Sequence, residues 1–453
     1  MNCIASGRFK RTVGPYFLYI ILCILVLECQ WTALRYALFA CVSIFFLYSP
    51  FSSKKRDVRK ISWNGIEDGF DVLIIGAGFG GLASAACLLN KGVSKILVLE
   101  SEQDLGEPWR KRYDRLHLHT DKHTSTFPFM DWPGDTPLYP SKDQVVNYIR
   151  SYQKLMNIPV QFHTRVTHVE ERVEGGWKVT AIQEGIIVSY NTNYVIIAIG
   201  ENAEPFNPTL PLDTNFKGTI QHSASYKNGH SFLGKNVLVV GCGNSGMEIA
   251  LELYECGAFP SLVVRSEQLI AARDTIPNFL SGATFALTIG AHFMPDWLVN
   301  FISYPFLYDL SKYGIKSSRV SITQSIKKLH RSPILDLGTV LLIKTGKCQI
   351  FPGIKSFHTD GETVHFEDDR QACFEAVIKA TGFKSMIAPL FSPQLAKNIL
   401  DDNGKPLLSG YDLGCGLFFV GYADSWGRFR EMSFEAERIS RALSDILLKN
   451  WRE

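Results

Sequence analysis

Two stretches in which a buried strand runs into a glycine-rich turn and then a helix, at 71–89 and 236–250, each followed by a second apolar strand, predict an α/β chain. Further short apolar strands follow the second copy. The predicted architecture is therefore two doubly wound, Rossmann-type nucleotide-binding domains, the second inserted in the first, preceded by N-terminal membrane helices. The boundaries read as an anchor and basic linker over 1–60, one domain's first part over 61–210, the second domain with an apolar insertion over 211–340, and the first domain's return over 341–453. A chain of 453 residues, 46% hydrophobic and 20% charged, has enough apolar material for two such cores. Its net charge of +3, with no basic run along the folded portion, argues against a nucleic-acid partner.

The first apolar stretches run roughly over Val13–Leu27 and Tyr36–Phe51, around the polar patch Glu28–Arg35. Each is short against the about 20 helical residues that a bilayer core requires. Arg8, Lys10 and Arg11 precede them and Lys54, Lys55, Arg56, Arg59 and Lys60 follow, so both flanks read as cytoplasmic. A helical hairpin or re-entrant wedge suits those flanks better than one crossing; a single signal-anchor helix is the alternative, and no small-residue site marks a cleaved leader. The 10 cysteines lie singly, with no CxxC pair, so neither a disulfide framework nor a zinc site is expected. No acceptable Asn-x-Ser/Thr acceptor is present, since Asn207 precedes Pro208. These features predict a catalytic body in a reducing, cytosolic setting.

The first frame reads Asp71-Val-Leu-Ile-Ile-Gly-Ala-Gly-Phe-Gly-Gly-Leu. Gly76 permits the tight turn, Gly78 lets a pyrophosphate approach bare backbone at a helix N-terminus, and Gly81 lets helix pack on strand. The next strand, Lys95–Leu99, ends at Glu100, where a carboxylate accepts from ribose hydroxyls. The second frame, Asn236-Val-Leu-Val-Val-Gly-Cys-Gly-Asn-Ser-Gly-Met, repeats the pattern with Gly241, Gly243 and Gly246, and with Asn244 and Ser245 opening its helix. Its following strand places Arg265 where the first copy has Glu100, which suits a 2′-phosphate, with an ordinary surface arginine at a strand end as the alternative. An acid reads a free ribose diol and a cation reads a phosphate, so FAD is expected in the first frame and NADPH in the second. Trp109, beyond Glu100, is a further candidate cofactor contact. Ala376–Phe383 and Leu417–Asp424 read as strands returning to the first frame, with Asp424 a candidate for holding the ribityl chain or a plain loop aspartate.

Phe216-Lys-Gly-Thr-Ile-Gln-His-Ser-Ala-Ser-Tyr fits the pattern FxGxxxHxxx(Y/F) through Phe216, Gly218, His222 and Tyr226. In this it resembles the flavin-containing monooxygenases and their Baeyer-Villiger relatives, and the resemblance implies that the motif lies near the domain junction and serves NADPH handling. Tyr113–His119, Gly200–Glu204, Gly241–Glu248 and Pro333–Thr339 further resemble the YUCCA-type branch, whose members oxidatively decarboxylate indole-3-pyruvate. Many relatives that oxygenate nitrogen or sulfur carry asparagine where this chain has His119, and YUCCA-type chains carry histidine. His119 thus reads either as a tuner of the flavin adduct or acid/base, or as a structural histidine beside His117 and His123. Asn202, in the Gly200 segment, joins it as a candidate catalytic residue.

The resemblance implies hydride transfer from NADPH to FAD, capture of molecular oxygen as a C4a-(hydro)peroxyflavin in a dry cavity, and transfer of one oxygen atom to a small, lipophilic substrate. An amine or sulfide would be N- or S-oxygenated, and an α-keto acid decarboxylated. The apolar stretch Ile276–Leu310 reads as a lipophilic route, a bilayer contact or a buried helix pair. Two other readings use the same frames: an NADPH oxidase releasing hydrogen peroxide, and a catalytically silent nucleotide-binding protein at a membrane. The oligomeric state has no sequence signal, and a place at the endoplasmic reticulum follows from the likeness and the short spans.

Overall fold

The computed structural model describes residues 69–273, 307–318, 332–413, 415–423 and 428–447, with 297 and 325 alone. The expected N-terminal membrane helices, Asp424 and nearly all of Ile276–Leu310 lie outside the described residues. Among those described, no helix is long and apolar enough to cross a membrane.

The chain opens with β1 (Phe70–Ile75), α1 (Phe79–Asn90) and β2 (Ile96–Leu99), continues through α2 (Glu107–Arg110), α3 (Lys142–Leu155) and β3 (Val160–Gln161), and then forms the meander β4 (Thr164–Glu171), β5 (Trp177–Gln183) and β6 (Ile186–Ile197). The first sheet has the order β3-β2-β1-β6-β5-β4. Val72–Ile75 and Ile96–Leu99 are buried on both faces, as central parallel strands must be, whereas β4 and β5 alternate. α1 is almost wholly Gly, Ala, Ser and Leu over its buried length, so it lies close against its neighbours; a Cβ at Gly80 would stand 2.8 Å from Val420. α3 starts with a capping box in which Ser141 accepts from the Gln144 N–H and Gln144 accepts from the Ser141 N–H.

After β7 (Glu204–Pro205) the chain builds a second sheet from β8 (Thr219–His222) and β9 (Asn236–Val240), followed by α4 (Asn244–Glu255) and β10 (Phe259–Val263). The short pair β11 (Ile270–Ala272) and β12 (Ile334–Asp336), α5 (Thr339–Lys344) and β13 (Gln349–Phe351) come next. A three-stranded antiparallel unit, β14 (Ile354–Phe357), β15 (Thr363–Phe366) and β16 (Gln371–Cys373), precedes β17 (Ala376–Lys379). The second sheet is parallel throughout, in the order β13-β10-β9-β17-β8. β18 (Phe383–Lys384) then pairs with β7, α6 (Pro393–Ile399) follows, β19 (Leu417–Phe419) joins β6 in the first sheet, and α7 (Arg428–Leu447) closes the described chain.

This corrects the expected return over 341–453. Ala376–Lys379 lies between β9 and β8 in the second sheet, and only Leu417–Phe419 rejoins the first. A four-residue strand buried along its whole length fits the parallel part of either sheet, so its composition does not say which one it enters.

Candidate active site at the junction of two nucleotide frames

The glycines of the two turns serve three separate purposes, matched position by position. Gly76 and Gly241 have φ of +101° and +117°, a region that L side chains rarely adopt. A Cβ at Gly81 would lie 1.9 Å from the Gly76 carbonyl oxygen, and one at Gly246 would lie 2.0 Å from that of Gly241, so the third glycine lets helix close on turn. Gly78 and Gly243 precede α1 and α4, where no side chain caps either helix, and a Cβ at these positions would meet nothing within 4 Å. Backbone at both helix N-termini is thus uncapped and, with glycine there, uncovered by a side chain, which suits the approach of a pyrophosphate.

Glu100 follows β2 and is fastened over the first turn: Oε2 accepts from the Ala77 N–H at 2.8 Å and Oε1 from the Glu102 N–H at 3.0 Å. Its remaining lone pairs suit a ribose diol. Arg265, two residues past β10, is exposed, with no hydrogen bond or ion pair among the described residues. Asn244 turns away from the turn, its Oδ1 accepting from the Leu335 N–H at 2.9 Å, while Ser245 lies beside the Tyr113 hydroxyl. The Pro333–Thr339 segment docks there too, for Thr339 is buried and donates to the Met247 carbonyl at 2.7 Å.

The two frames are tied through α4. Glu248, 2% exposed, accepts from the Tyr113 hydroxyl at 2.6 Å and faces His119 Nε2 at 3.1 Å. One turn on, Glu252 accepts from the Tyr226 hydroxyl at 2.8 Å, and Glu255 pairs with Arg115. Burial, with the Glu248 charge beside it, raises the Tyr113 hydroxyl well above its usual range, so it remains a donor; burial also raises Glu252. Tyr113–His119, Tyr226 and Gly241–Glu248, separate in the sequence, therefore meet at one helix face. His119 is placed as a link between frames, bonded to a buried carboxylate.

The remaining candidates are dispersed. Phe216 is buried with its ring 5.3 Å from that of Phe357, and a Cβ at Gly218 would stand 2.3 Å from the Glu375 carbonyl, so the start of that motif packs under the second sheet. His222 ends β8, where its Nδ1 accepts from the Ala224 N–H at 3.1 Å. Trp109 meets Phe429 edge-on at 6.1 Å, and Phe429 stacks on Phe79 at 4.2 Å, over the start of α1. Asn202 is exposed in the loop that leaves β6.

Sequence reasoning passed over three acids: Glu248, Glu252 and Glu435. The first two recur at i and i+4 within Met-Glu-Ile-Ala-Leu-Glu-Leu, a run whose apolar neighbours bury on the same helix, and that spacing is a usable signal. Glu435 on α7 is wholly buried and accepts from the Gly421 N–H at 2.7 Å, just beyond β19; burial pushes its carboxyl up to about 7. Nothing in its local sequence distinguishes it from an exposed helix acid.

The sequence family described as pyridine nucleotide-disulphide oxidoreductase matches residues 73–284. Indole-3-pyruvate monooxygenase YUCCA6 of Arabidopsis thaliana is 34% identical over 397 residues, covering 84% of this chain and 91% of that protein. Indole-3-pyruvate monooxygenase YUCCA1 of Oryza sativa subsp. japonica is 36% identical over 321 residues, 70% and 77% of the two chains. Among solved structures, a flavin-containing monooxygenase from Stenotrophomonas maltophilia superposes with a TM-score of 0.63 at 22% identity, over 84% of this chain and 99% of that one, a likeness of fold. Relatives this similar over most of both chains, together with paired turns shaped for two dinucleotides, place the chain in the flavin-containing monooxygenase family, on its YUCCA-type side, as an FAD- and NADPH-dependent monooxygenase with molecular oxygen as co-substrate.

Proposed function

We propose that the chain uses NADPH and molecular oxygen to insert one oxygen atom into a small, lipophilic α-keto acid, with loss of its carboxyl group, by a flavin-borne oxygen adduct of the kind the family resemblance implies. The observation that carries the enzymatic half is the junction itself. Two glycine turns of matching geometry, one overlooked by an acid and one followed by an exposed arginine, are linked through Tyr113, His119 and Glu248. The substrate class rests on the relatives named indole-3-pyruvate monooxygenases.

In this reading the bound flavin supplies the oxygen chemistry, and the chain supplies position. The open ends of α1 and α4 hold the pyrophosphates, Glu100 the ribose of FAD, and Arg265 the 2′-phosphate of NADPH. Glu248 keeps the His119 ring oriented through Nε2 and holds α4 against the Tyr113 loop. A disulfide reductase on the same frame would need a thiolate pair. Cys242 and Cys348 are buried thiols pushed up to about 12, which opposes that chemistry.

Anaerobic reduction of the bound flavin by NADPH or NADH, followed by oxygen with indole-3-pyruvate, a tertiary amine or a sulfide, tests the reading. Fast reduction by NADPH, with the keto acid consumed and decarboxylated, supports it. Oxygenation of only the amine or sulfide removes the substrate class, and stoichiometric peroxide with every candidate makes the protein an oxidase. We also propose that residues 1–60 anchor the chain in the endoplasmic reticulum with the catalytic body in the cytosol, on the strength of two apolar stretches between basic flanks. Protease digestion of sealed microsomes tests this: a body degraded without detergent agrees, and a protected body overturns it.

A further inference from the structure

Three donors with no acidic partner among the described residues meet where the frames adjoin. Lys379 ends β17, is 7% exposed, and its Nζ donates to the Pro208 carbonyl at 3.3 Å. His222 ends β8 opposite Lys379 in the parallel register and is also buried. Its Nδ1 accepts from the Ala224 N–H, so the neutral ring carries its proton on Nε2, and that buried atom lies near the Gly382 backbone without a formed hydrogen bond. Arg112 arrives from the first frame. Its guanidinium lies 3.7 Å over the Phe383 ring, which meets His222 edge-on at 5.3 Å.

A buried cation is costly unless an opposite charge or several good acceptors replace its water. Among the described residues neither Arg112 nor Lys379 forms an ion pair, and Lys379 has one carbonyl. Burial pulls the Arg112 guanidinium below its ordinary value. Burial likewise lowers His222, and the Arg112 and Lys379 charges add to that; among the described residues no carboxylate pairs with any of the three. Lys379 and His222 stand at the C-terminal ends of the parallel strands β17 and β8, the edge at which ligands enter open α/β sheets, and Arg112 reaches them from the loop after α2.

We propose that Lys379, Arg112 and His222 form a subsite for an oxyanion, either a phosphate or a carboxylate, between the two frames. Two cations and one imidazole N–H match such a group in charge and donor number. The phosphate would come from the NADPH pyrophosphate bridge and the carboxylate from an α-keto acid. Only the second source rests on the substrate reading above.

The test uses the full-length, FAD-loaded protein in detergent, and follows thermal unfolding while inorganic pyrophosphate or, separately, pyruvate is titrated at constant ionic strength. Wild type should show a saturable rise in Tm with at least one of the two. Lys379→Met should weaken that response about tenfold, and Lys379→Arg should retain it. If Lys379→Met does not fold, Arg112→Gln is the second variant, with the same weakening expected. A Lys379- or Arg112-dependent response to pyrophosphate, with a matching rise in the NADPH KM for flavin reduction, identifies the phosphate source. A dependent response to pyruvate with unchanged NADPH KM identifies the carboxylate. Responses to both anions that are identical in wild type and the folded variants overturn the subsite, whatever product analysis says of keto-acid turnover.

Discussion

The two glycine turns share a backbone and differ in what reads the ligand. In the first frame Glu100 is bonded into the turn through Ala77 and Glu102; in the second, Arg265 stands exposed and unpaired among the described residues. A reader held in place before the ligand arrives loses little freedom on binding, whereas a solvated arginine must be ordered each time. The first arrangement suits a resident cofactor and the second a cofactor that exchanges every turnover. Under the proposed assignment, one backbone geometry would serve a prosthetic group and a co-substrate, with the difference lying in whether the reading side chain is already bonded in place.

The sharpest way to break that comparison is to close one turn at a time. Gly81→Ala forces a Cβ to 1.9 Å from backbone oxygen, and should cost about 4 kcal/mol or more and yield protein without flavin. Gly246→Ala meets the same clash in the second frame, yet should retain flavin while NADPH no longer reduces it. Flavin absorbance per protein and anaerobic reduction rates check both, and equal flavin loss in the two variants would remove the asymmetry.

The next largest effect belongs to the first frame alone. Glu435 has its carboxyl raised from 4.5 to about 7, chiefly by burial, so the folded protein holds that proton more tightly than the unfolded chain. Its contribution is fully present below the unfolded value and is lost as pH rises through about 7, a decline of roughly 3 kcal/mol. Glu435→Gln should flatten that slope in urea unfolding between those pH values. A slope unchanged in the variant assigns the titration elsewhere.

Arg265→Ala should raise the NADPH KM about 10- to 100-fold, the value of a charge-assisted contact, and leave the NADH KM unaltered. Equal changes for both nucleotides would mean that Arg265 does not read the 2′-phosphate. The smallest effect is expected at the tie between frames. Tyr113→Phe removes one of two donors to Glu248 and should cost about 1 kcal/mol in urea unfolding, with flavin content unchanged.

Both glycine turns, their first helices and the acid after β2 were legible because each backbone demand excludes all but a few residue types. Arg265 was legible as a position, and its exposure fits a surface arginine as well as a reader of a 2′-phosphate. The Phe216–Tyr226 pattern pointed to the junction, yet its residues mostly pack or brace, and the contact of Tyr113 and His119 with Glu248 depends on pairing distant segments. Ala376–Lys379 failed for a related reason, since a buried strand carries no mark of which sheet will receive it. Asn202 and Trp109 are located without any contact that gives them a role.

The late arrival of β19 has a consequence for synthesis on the ribosome. The edge of β6 that it covers is complete at Ile197 but has no partner until Leu417–Phe419 emerge, after the whole second sheet. The inserted half can gather its own parallel strands while the first waits with apolar β6 exposed. Chains stalled between these points would be the aggregation-prone species, and slowing translation just before Leu417 should make them accumulate with holdase chaperones.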